Sequence, residues 1–233
     1  MKVIVTSASK GIGRAIAEIF AANGYDLILC SRNEINLYKT LEELVTLYPG
    51  VEIRAKAFDL SVKANAIAFG DWCLGTGSPD ILVNNVGSFV PGSVHNEPDG
   101  NLEDQIAVNL YSAYHLTRAL LPSMMTRRTG HIFNICSTAS LDAYKNGGAY
   151  SISKFAMLGF SKNLREEMKT HGIKVTSVFP GAALTDSWGD FDNSTNRIME
   201  AADIAKMVFA SSQLSISACV EEIIIRTQLG DLD

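Results

Sequence analysis

Short β-branched apolar runs alternating with helix-length amphipathic stretches predict a doubly wound α/β fold. Two further observations narrow it. The alternation begins at once, with Val3-Ile-Val5 running straight into a turn that carries Gly11 and Gly13. It then continues through the 233 residues without an internal repeat, low-complexity tract or linker. About seven parallel strands with right-handed crossovers are expected, covered by helices on both faces in a three-layer α/β/α domain spanning 1–233.

Residues 2–6 read as the first strand, followed by an apolar-periodic helix to about Ala22 that Asn23-Gly24 stops. Residues 25–30 form the second strand. Leu37, Leu41, Leu44 and Val45 recur at helical spacing over 33–47, and Pro49-Gly50 ends that helix. A third strand over 51–58 leads to a helix over 62–74, broken by Gly75-Thr-Gly-Ser-Pro79. The strand at 81–83 ends in Asn84-Asn-Val-Gly87. Long helices over 101–126 and 148–170 precede strands at 131–136 and 173–179, the latter closed by Pro180-Gly181. A helix near 202–212 and a strand at about 220–227 complete the alternation.

Composition excludes several classes. With 47% apolar and 19% charged residues the chain is an ordinary globular protein, and a net charge of −5 argues against a broad nucleic-acid footprint. Cys30, Cys73, Cys136 and Cys219 lie far apart, which reads as buried thiols in a reducing compartment. His95, His115, His131 and His171 show no ligand spacing, so no metal site is expected. No apolar run approaches the ~18 residues of a spanning helix, and a cytoplasmic location is expected.

A Gly-rich turn between first strand and first helix is the Rossmann-type dinucleotide arrangement, where the helix amides meet a pyrophosphate. An acidic residue ending the second strand would bind the ribose 2′-hydroxyl of NAD. Here that strand ends Cys30-Ser31-Arg32, and Lys10 lies in the turn. Two cations and no carboxylate fit a 2′-phosphate, so NADP(H) is the expected cofactor. Asp59, ending the third strand, suits the adenine amino group or, alternatively, an N-cap of the next helix.

The chemistry-bearing stretch runs from Ser137 to Lys154. Tyr150 and Lys154 are four apart on a helix, which stacks a phenol beside an ammonium. That neighbour favours the phenolate and suits it to general acid–base work. Ser137 ends an apolar strand, at the sheet edge where ligands bind. Tyr-x-x-x-Lys alone is common on helices. Its context gives it weight.

That context is Thr6-Ser-Ala-Ser-Lys-Gly-Ile-Gly13, Asp59-Leu60, Asn84-Asn-Val-Gly87, Asn109, Ser137, Tyr150-x-x-x-Lys154 and Pro180-Gly181. In this order and spacing the chain resembles the short-chain dehydrogenase/reductase family over essentially its whole length. The resemblance implies that Ser137 holds a substrate oxygen and that Tyr150 exchanges its proton. It implies that Lys154 binds the nicotinamide ribose and favours the phenolate, and that Asn109 supports a water-mediated relay to Lys154. The implied cofactor contacts are Thr6, Ser9, Lys10, Gly11, Ile12, Gly13, Ser31, Arg32, Asp59, Leu60, Asn85, Val86, Gly87, Tyr150, Lys154, Pro180, Gly181 and Thr185.

Three positions and the C-terminal segment depart from the family pattern. Ser7 replaces the first glycine of the turn, and it would be strained if its φ were positive. Val86 stands in Asn-Asn-Ala-Gly, Ala183 replaces a β-branched residue, and the chain ends without a Gly-rich segment. That ending, with Thr185-Asp-Ser-Trp-Gly189, resembles bacterial sepiapterin and carbonyl reductases.

Loops after the fourth to sixth strands offer Phe89, Leu141, Tyr144 and Trp188 to a substrate, an expectation of an apolar or aromatic carbonyl compound. The stretch 182–200 reads as a lid that orders over ligands. The leading expectation is an NADPH-dependent ketone or aldehyde reductase. Reduction of 3-oxoacyl thioesters on acyl-carrier protein is the enzymatic alternative, and an NADP-sensing binding protein the non-enzymatic one. The resemblance also implies a homodimer or homotetramer through the two long helices, with Met157, Phe160 and Leu164 as candidate contacts or sheet-packing residues.

Overall fold

The computed structural model describes residues 1–185, 188–189 and 191–230. Asp186, Ser187 and Asp190 of the expected lid, and positions 231–233 of the expected domain, lie outside the described residues.

Seven parallel strands form one twisted sheet. They are β1 (Lys2–Thr6), β2 (Asp26–Ser31), β3 (Ile53–Ala57), β4 (Ile81–Asn84), β5 (Gly130–Ile135), β6 (Ile173–Pro180) and, last in the chain, β9 (Glu222–Ile225). Their spatial order is β3-β2-β1-β4-β5-β6-β9, so the winding reverses between β1 and β4. Val3, Ile4 and Val5 register with Ile81, Leu82 and Val83 across that reversal. Such a reversal is where doubly wound sheets open a crevice at their carboxyl edge and bind ligands.

Alternation along each strand divides the core into two layers. Val3, Val5, Leu27 and Leu29 face α1 (Gly11–Ala22), α2 (Glu34–Leu47) and α7 (Ala201–Ser212), meeting Ile16, Phe20, Leu37, Leu44 and Val208. Ile4, Ile28, Leu82 and Ile132 face the opposite way. They meet Phe69 of α3 (Lys63–Leu74), Leu116 and Leu120 of α5 (Ser112–Arg127), and Leu164 and Met168 of α6 (Gly148–Met168). The three-layer architecture follows from this two-sided burial.

Several expected boundaries shift. The helix expected over 101–126 is three pieces: α4 (Asn101–Ile106), a π-helical turn (Ala107–Tyr111) and α5. The π turn centres on Asn109, whose side chain reaches beyond its own helix to the backbone of Ser88. Residues 51–52 and 58 fall outside β3, and Cys136 falls just past β5. The helix expected to 170 passes into a 3₁₀ turn at Lys169–His171. Asp59 does not cap α3, whose N-cap is Val62. Its carboxylate accepts from Ser61 N at 3.0 Å and Ser61 Oγ at 2.6 Å.

The irregular stretch after β6 carries two elements not expected from sequence. β7 (Ala183–Leu184) pairs in parallel with β8 (Met199–Glu200) and closes the base of the 182–200 loop. Met157 and Leu164, candidate contacts between copies, are buried at 2% and 4% and pack inward. A spacing of seven, two helical turns, puts both on the face that α6 turns to the sheet. Ile152 and Phe155 stand exposed on the other face.

His131 is buried between β5 and β6. Thr176 Oγ1 gives its proton to Val220 O at 2.6 Å, so His131 Nε2, 2.7 Å away, must donate to it. Burial, and then the charge of Lys174, push this imidazole down to about 3. The unfolded chain protonates it near 6.5, so stability is full above that pH and falls as pH drops toward 3. Urea melts should show wild type losing about 2 kcal/mol more than His131→Gln between pH 6.5 and pH 5. Equal losses would refute the buried neutral histidine.

Candidate active site

The floor of the crevice is the Gly-rich turn between β1 and α1. Ser7 has φ +51°, the left-handed region, as does Gly11 at +56°. A Cβ on Gly13 would lie 2.3 Å from Ser7 O and 2.6 Å from Asn85 Nδ2. Only glycine fits there. The Asn85 amide donates to Thr6 O at 3.2 Å and Ser7 O at 3.3 Å, while Asn85 N donates to Thr6 Oγ1 at 2.9 Å. Thr6 Oγ1 in turn donates to Val83 O at 3.2 Å. Thr6 and Asn85 therefore tie β1 to β4 across the reversal and hold the turn from beneath.

The turn's far side meets the end of β2. Ser9 Oγ and Ser31 Oγ are 2.9 Å apart, and Ser9 O accepts from Thr40 Oγ1 of α2 at 2.9 Å. Arg32 is mostly exposed, with its Nη1 3.9 Å from Asp59 Oδ2. Lys10 is the N-cap residue of α1. Leu60 is buried in the core beside Phe69, so it supports the site from behind. Above the turn, Thr185 Cγ2 lies 3.1 Å from where a Gly11 Cβ would stand, which brings the loop after Pro180-Gly181 over the crevice.

The second cluster forms where β4, β5 and α6 meet. Lys154 is 5% exposed. Its Nζ donates to Ile135 O at 3.2 Å and sits 5.9 Å from the Tyr150 ring centre. A Gly87 Cβ would stand 3.3 Å from Asn109 Oδ1 and 3.4 Å from Lys154 Nζ, so Gly87, Asn109 and Lys154 converge. Asn109 Oδ1 accepts from Ser88 N at 2.8 Å, and its amide donates to Ser88 O, Gln105 Oε1 and Ser153 Oγ. Ser153 Oγ donates to Tyr150 O at 2.7 Å. Asn109 is thus bridged to the backbone of Tyr150 through one hydroxyl.

Ser137 is fixed just beyond β5. Its Oγ accepts from Ala139 N at 3.1 Å, and its N donates to Ser140 Oγ at 3.2 Å. The accepting role leaves the hydroxyl proton to give elsewhere. Phe89 packs edge-on against Tyr150, ring centres 4.9 Å apart. Burial, and then Tyr150, push the Tyr144 phenol up to about 12, so Tyr144 stays protonated. Leu141 packs beneath, against the Cys136 and Met157 cluster, whereas the Trp188 ring meets Phe191 at a tilt of 57°, ring centres 5.2 Å apart. Among the substrate candidates, only Phe89 is seen in ring contact with Tyr150.

Sequence reasoning missed Gln105, Ser153 and Thr40, which hold the predicted residues in place. It also missed a buried polar chain under the site. Asn84 Nδ2 donates to Asn134 Oδ1 at 2.9 Å, Asn134 Nδ2 to Ser161 Oγ at 2.9 Å, and Ser161 Oγ meets Ser177 Oγ at 2.7 Å. An Asn inside each of two apolar strand runs was the available signal. Among the described residues no group of three or more His, Cys, Asp or Glu side chains could hold a metal. No helix among them is long and apolar enough to cross a membrane.

Fold and site together define a dinucleotide-binding protein of the doubly wound class. Comparison with known proteins names the family: residues 1–196 match the short chain dehydrogenase model, and the chain belongs to that family. It is 36% identical over 181 residues to a putative ketoacyl reductase of a monensin polyketide synthase from Streptomyces virginiae, covering 76% of this chain and 69% of that one. A metagenomic short-chain oxidoreductase solved with NADP is 32% identical, with TM-score 0.84 over 98% of this chain and 97% of the other. An alcohol dehydrogenase from the archaeon Thermococcus sibiricus, solved with 5-hydroxy-NADP, is 26% identical. Its TM-score is 0.92 over 100% of this chain and 98% of the other.

Ser7→Gly should relieve the left-handed strain, with a net gain of about 0.5–1 kcal/mol once glycine's extra unfolded entropy is subtracted. Thermal unfolding should rise by roughly 1–4 °C. A lower melting temperature would mean that Ser7 contributes more by its side chain than its backbone costs.

Proposed function

We propose that the protein is an NADP(H)-dependent oxidoreductase that reduces a ketone or aldehyde. The observation that carries this reading is the buried Lys154 ammonium stacked under Tyr150, with Asn109 and Gly87 converging on it. The crevice fits the cofactor. A side-chain-free Gly13 and the left-handed turn make a close-approach cradle, and Ser9, Ser31 and the exposed Arg32 offer donors at the end of β2. NADP-bound relatives at 32% and 26% identity support the same assignment.

The bound dinucleotide supplies the hydride. Tyr150 gives its proton to the carbonyl oxygen as negative charge develops there, and Ser137 donates a hydrogen bond to the same atom. Lys154 would hold the nicotinamide ribose. Asn109 holds the Ser88 backbone and, through Ser153, the turn that bears Tyr150.

The substrate class we favour is an apolar or aromatic ketone, sepiapterin among the probes, because the Phe89 ring lies edge-on against Tyr150. Reduction of 3-oxoacyl thioesters is the second reading, favoured by the identity to a ketoacyl reductase. The 182–200 loop, based on β7 and β8, would act as the lid. Copies would pair through α4, α5 and α6, where Tyr111, Ile152 and Phe155 stand exposed, as a homodimer or homotetramer. Light scattering that returned a monomer would end that part of the proposal.

NADPH oxidation should be followed with sepiapterin, an aromatic diketone and an acetoacetyl thioester, and the preferred substrate will choose between the two readings. Tyr150→Phe should lose on the order of 10²–10⁴ in kcat while still binding NADPH. A Phe variant that turned over like wild type would remove Tyr150 from its role. Arg32→Ala should raise the NADPH KM about 10–100-fold and leave that for NADH nearly unchanged. Equal effects on both cofactors would contradict a 2′-phosphate contact.

A further inference from the structure

The mouth of the site is shaped by two loops, 85–100 after β4 and 136–147 after β5. A carboxylate with no part in the proton transfer described above joins them. The helix carrying Tyr150 begins at Gly148, and its N-cap Gly147 makes no side-chain capping bond. Instead, Ala149 N donates at 3.1 Å to Oε2 of Glu97, 52 residues away. That same oxygen accepts from Asn101 Nδ2, at the start of α4, at 2.8 Å. One carboxylate oxygen thus joins the starts of α4 and α6.

The approach is built for closeness. Gly148 has φ +31°, and a Cβ there would lie 2.4 Å from Gly92 O and 2.8 Å from Glu97 Oε2. Gly92 N donates to Asn146 O at 3.1 Å, and Ser93 Oγ donates to Asn146 Oδ1 at 2.9 Å. At the other end of the same loop, Ser88 N is held by Asn109, and Phe89 lies on Tyr150. The loop is therefore pinned on both sides of the reactive phenol.

We infer that Glu97 is a positioning residue for Tyr150. It caps the first turn of α6 from outside the helix and holds the Phe89 wall against the phenol. Tyr150 lies in that turn, where amides lack intrahelical partners and an uncapped end frays. A carboxylate there both accepts the amide and suits the helix dipole. The inference rests on the reductase reading for its kinetic consequence. Its structural consequence stands apart from it.

The test combines kinetics with amide hydrogen exchange on the full chain. Glu97→Ala should lower kcat roughly 10–100-fold, as for a misplacement of about 1 Å, with the NADPH Kd changed by less than about twofold. Glu97→Gln keeps the accepting oxygen and should recover most of the turnover. Glu97→Asp, one methylene shorter, should fall between them and covers the case of an Ala variant that does not fold. Exchange should quicken together in peptides covering 88–100 and 147–152 in the Ala variant, and not in β1 or β2. Wild-type kcat in the Ala variant, or a Gln variant as slow as Ala, would overturn the inference. If wild type reduced no carbonyl, the reductase reading would fall. The coupled exchange would then decide the clasp alone, and unchanged exchange would overturn it.

Discussion

An ammonium held at 5% exposure where β5 meets α6 is the constraint on which the site depends. A buried cation costs several kcal/mol unless its protons find acceptors. Lys154 finds the carbonyl of Ile135, at the last residue of β5, where the strand's ladder ends and leaves that carbonyl to a side chain. Gly87 keeps this corner open, since a Cβ there would touch Nζ at 3.4 Å and press on Asn109 Oδ1 at 3.3 Å. Asn109 in turn must reach across to Ser88, and the helix that bears it passes through a π turn at that point. Such turns are rare and concentrate at functional sites.

The fold was legible because most strands are buried on both faces and so read as unbroken apolar runs. Val3-Ile-Val5 and Ile81-Leu-Val83 could hardly be anything else. The edge strand β3, Ile-Arg-Ala-Lys-Ala, has one open side and weaker patterning, and its ends were misjudged by one or two residues. Tyr150 and Lys154 were legible because their partnership is local, one helical turn. Gln105 and Ser153 were not, because each acquires its meaning from Asn109 or from a loop folded back upon it. Glu97 shows the same limit at a separation of 52 residues. Met157 and Leu164 are a different case. Their spacing did mark the inward face of α6, and the exposed pair Ile152 and Phe155 lies on the face that the pattern left polar-interrupted.

Ser7 shows most clearly where local sequence gives way to tertiary demand. Serine has no preference for φ +51°, and from sequence its conformation could be stated only as a condition. The condition is settled by contacts on two sides. Ser7 O lies against Gly13, where no side chain could fit, and it receives the Asn85 amide. Turning Ser7 to negative φ would swing that carbonyl away and take an acceptor from Asn85, which the reversal between β1 and β4 relies upon. The strain, on the order of 1–2 kcal/mol, is smaller than that disruption. The turn is therefore held in this one geometry by the protein's own hydrogen bonds, and Gly13 opens the cradle within it.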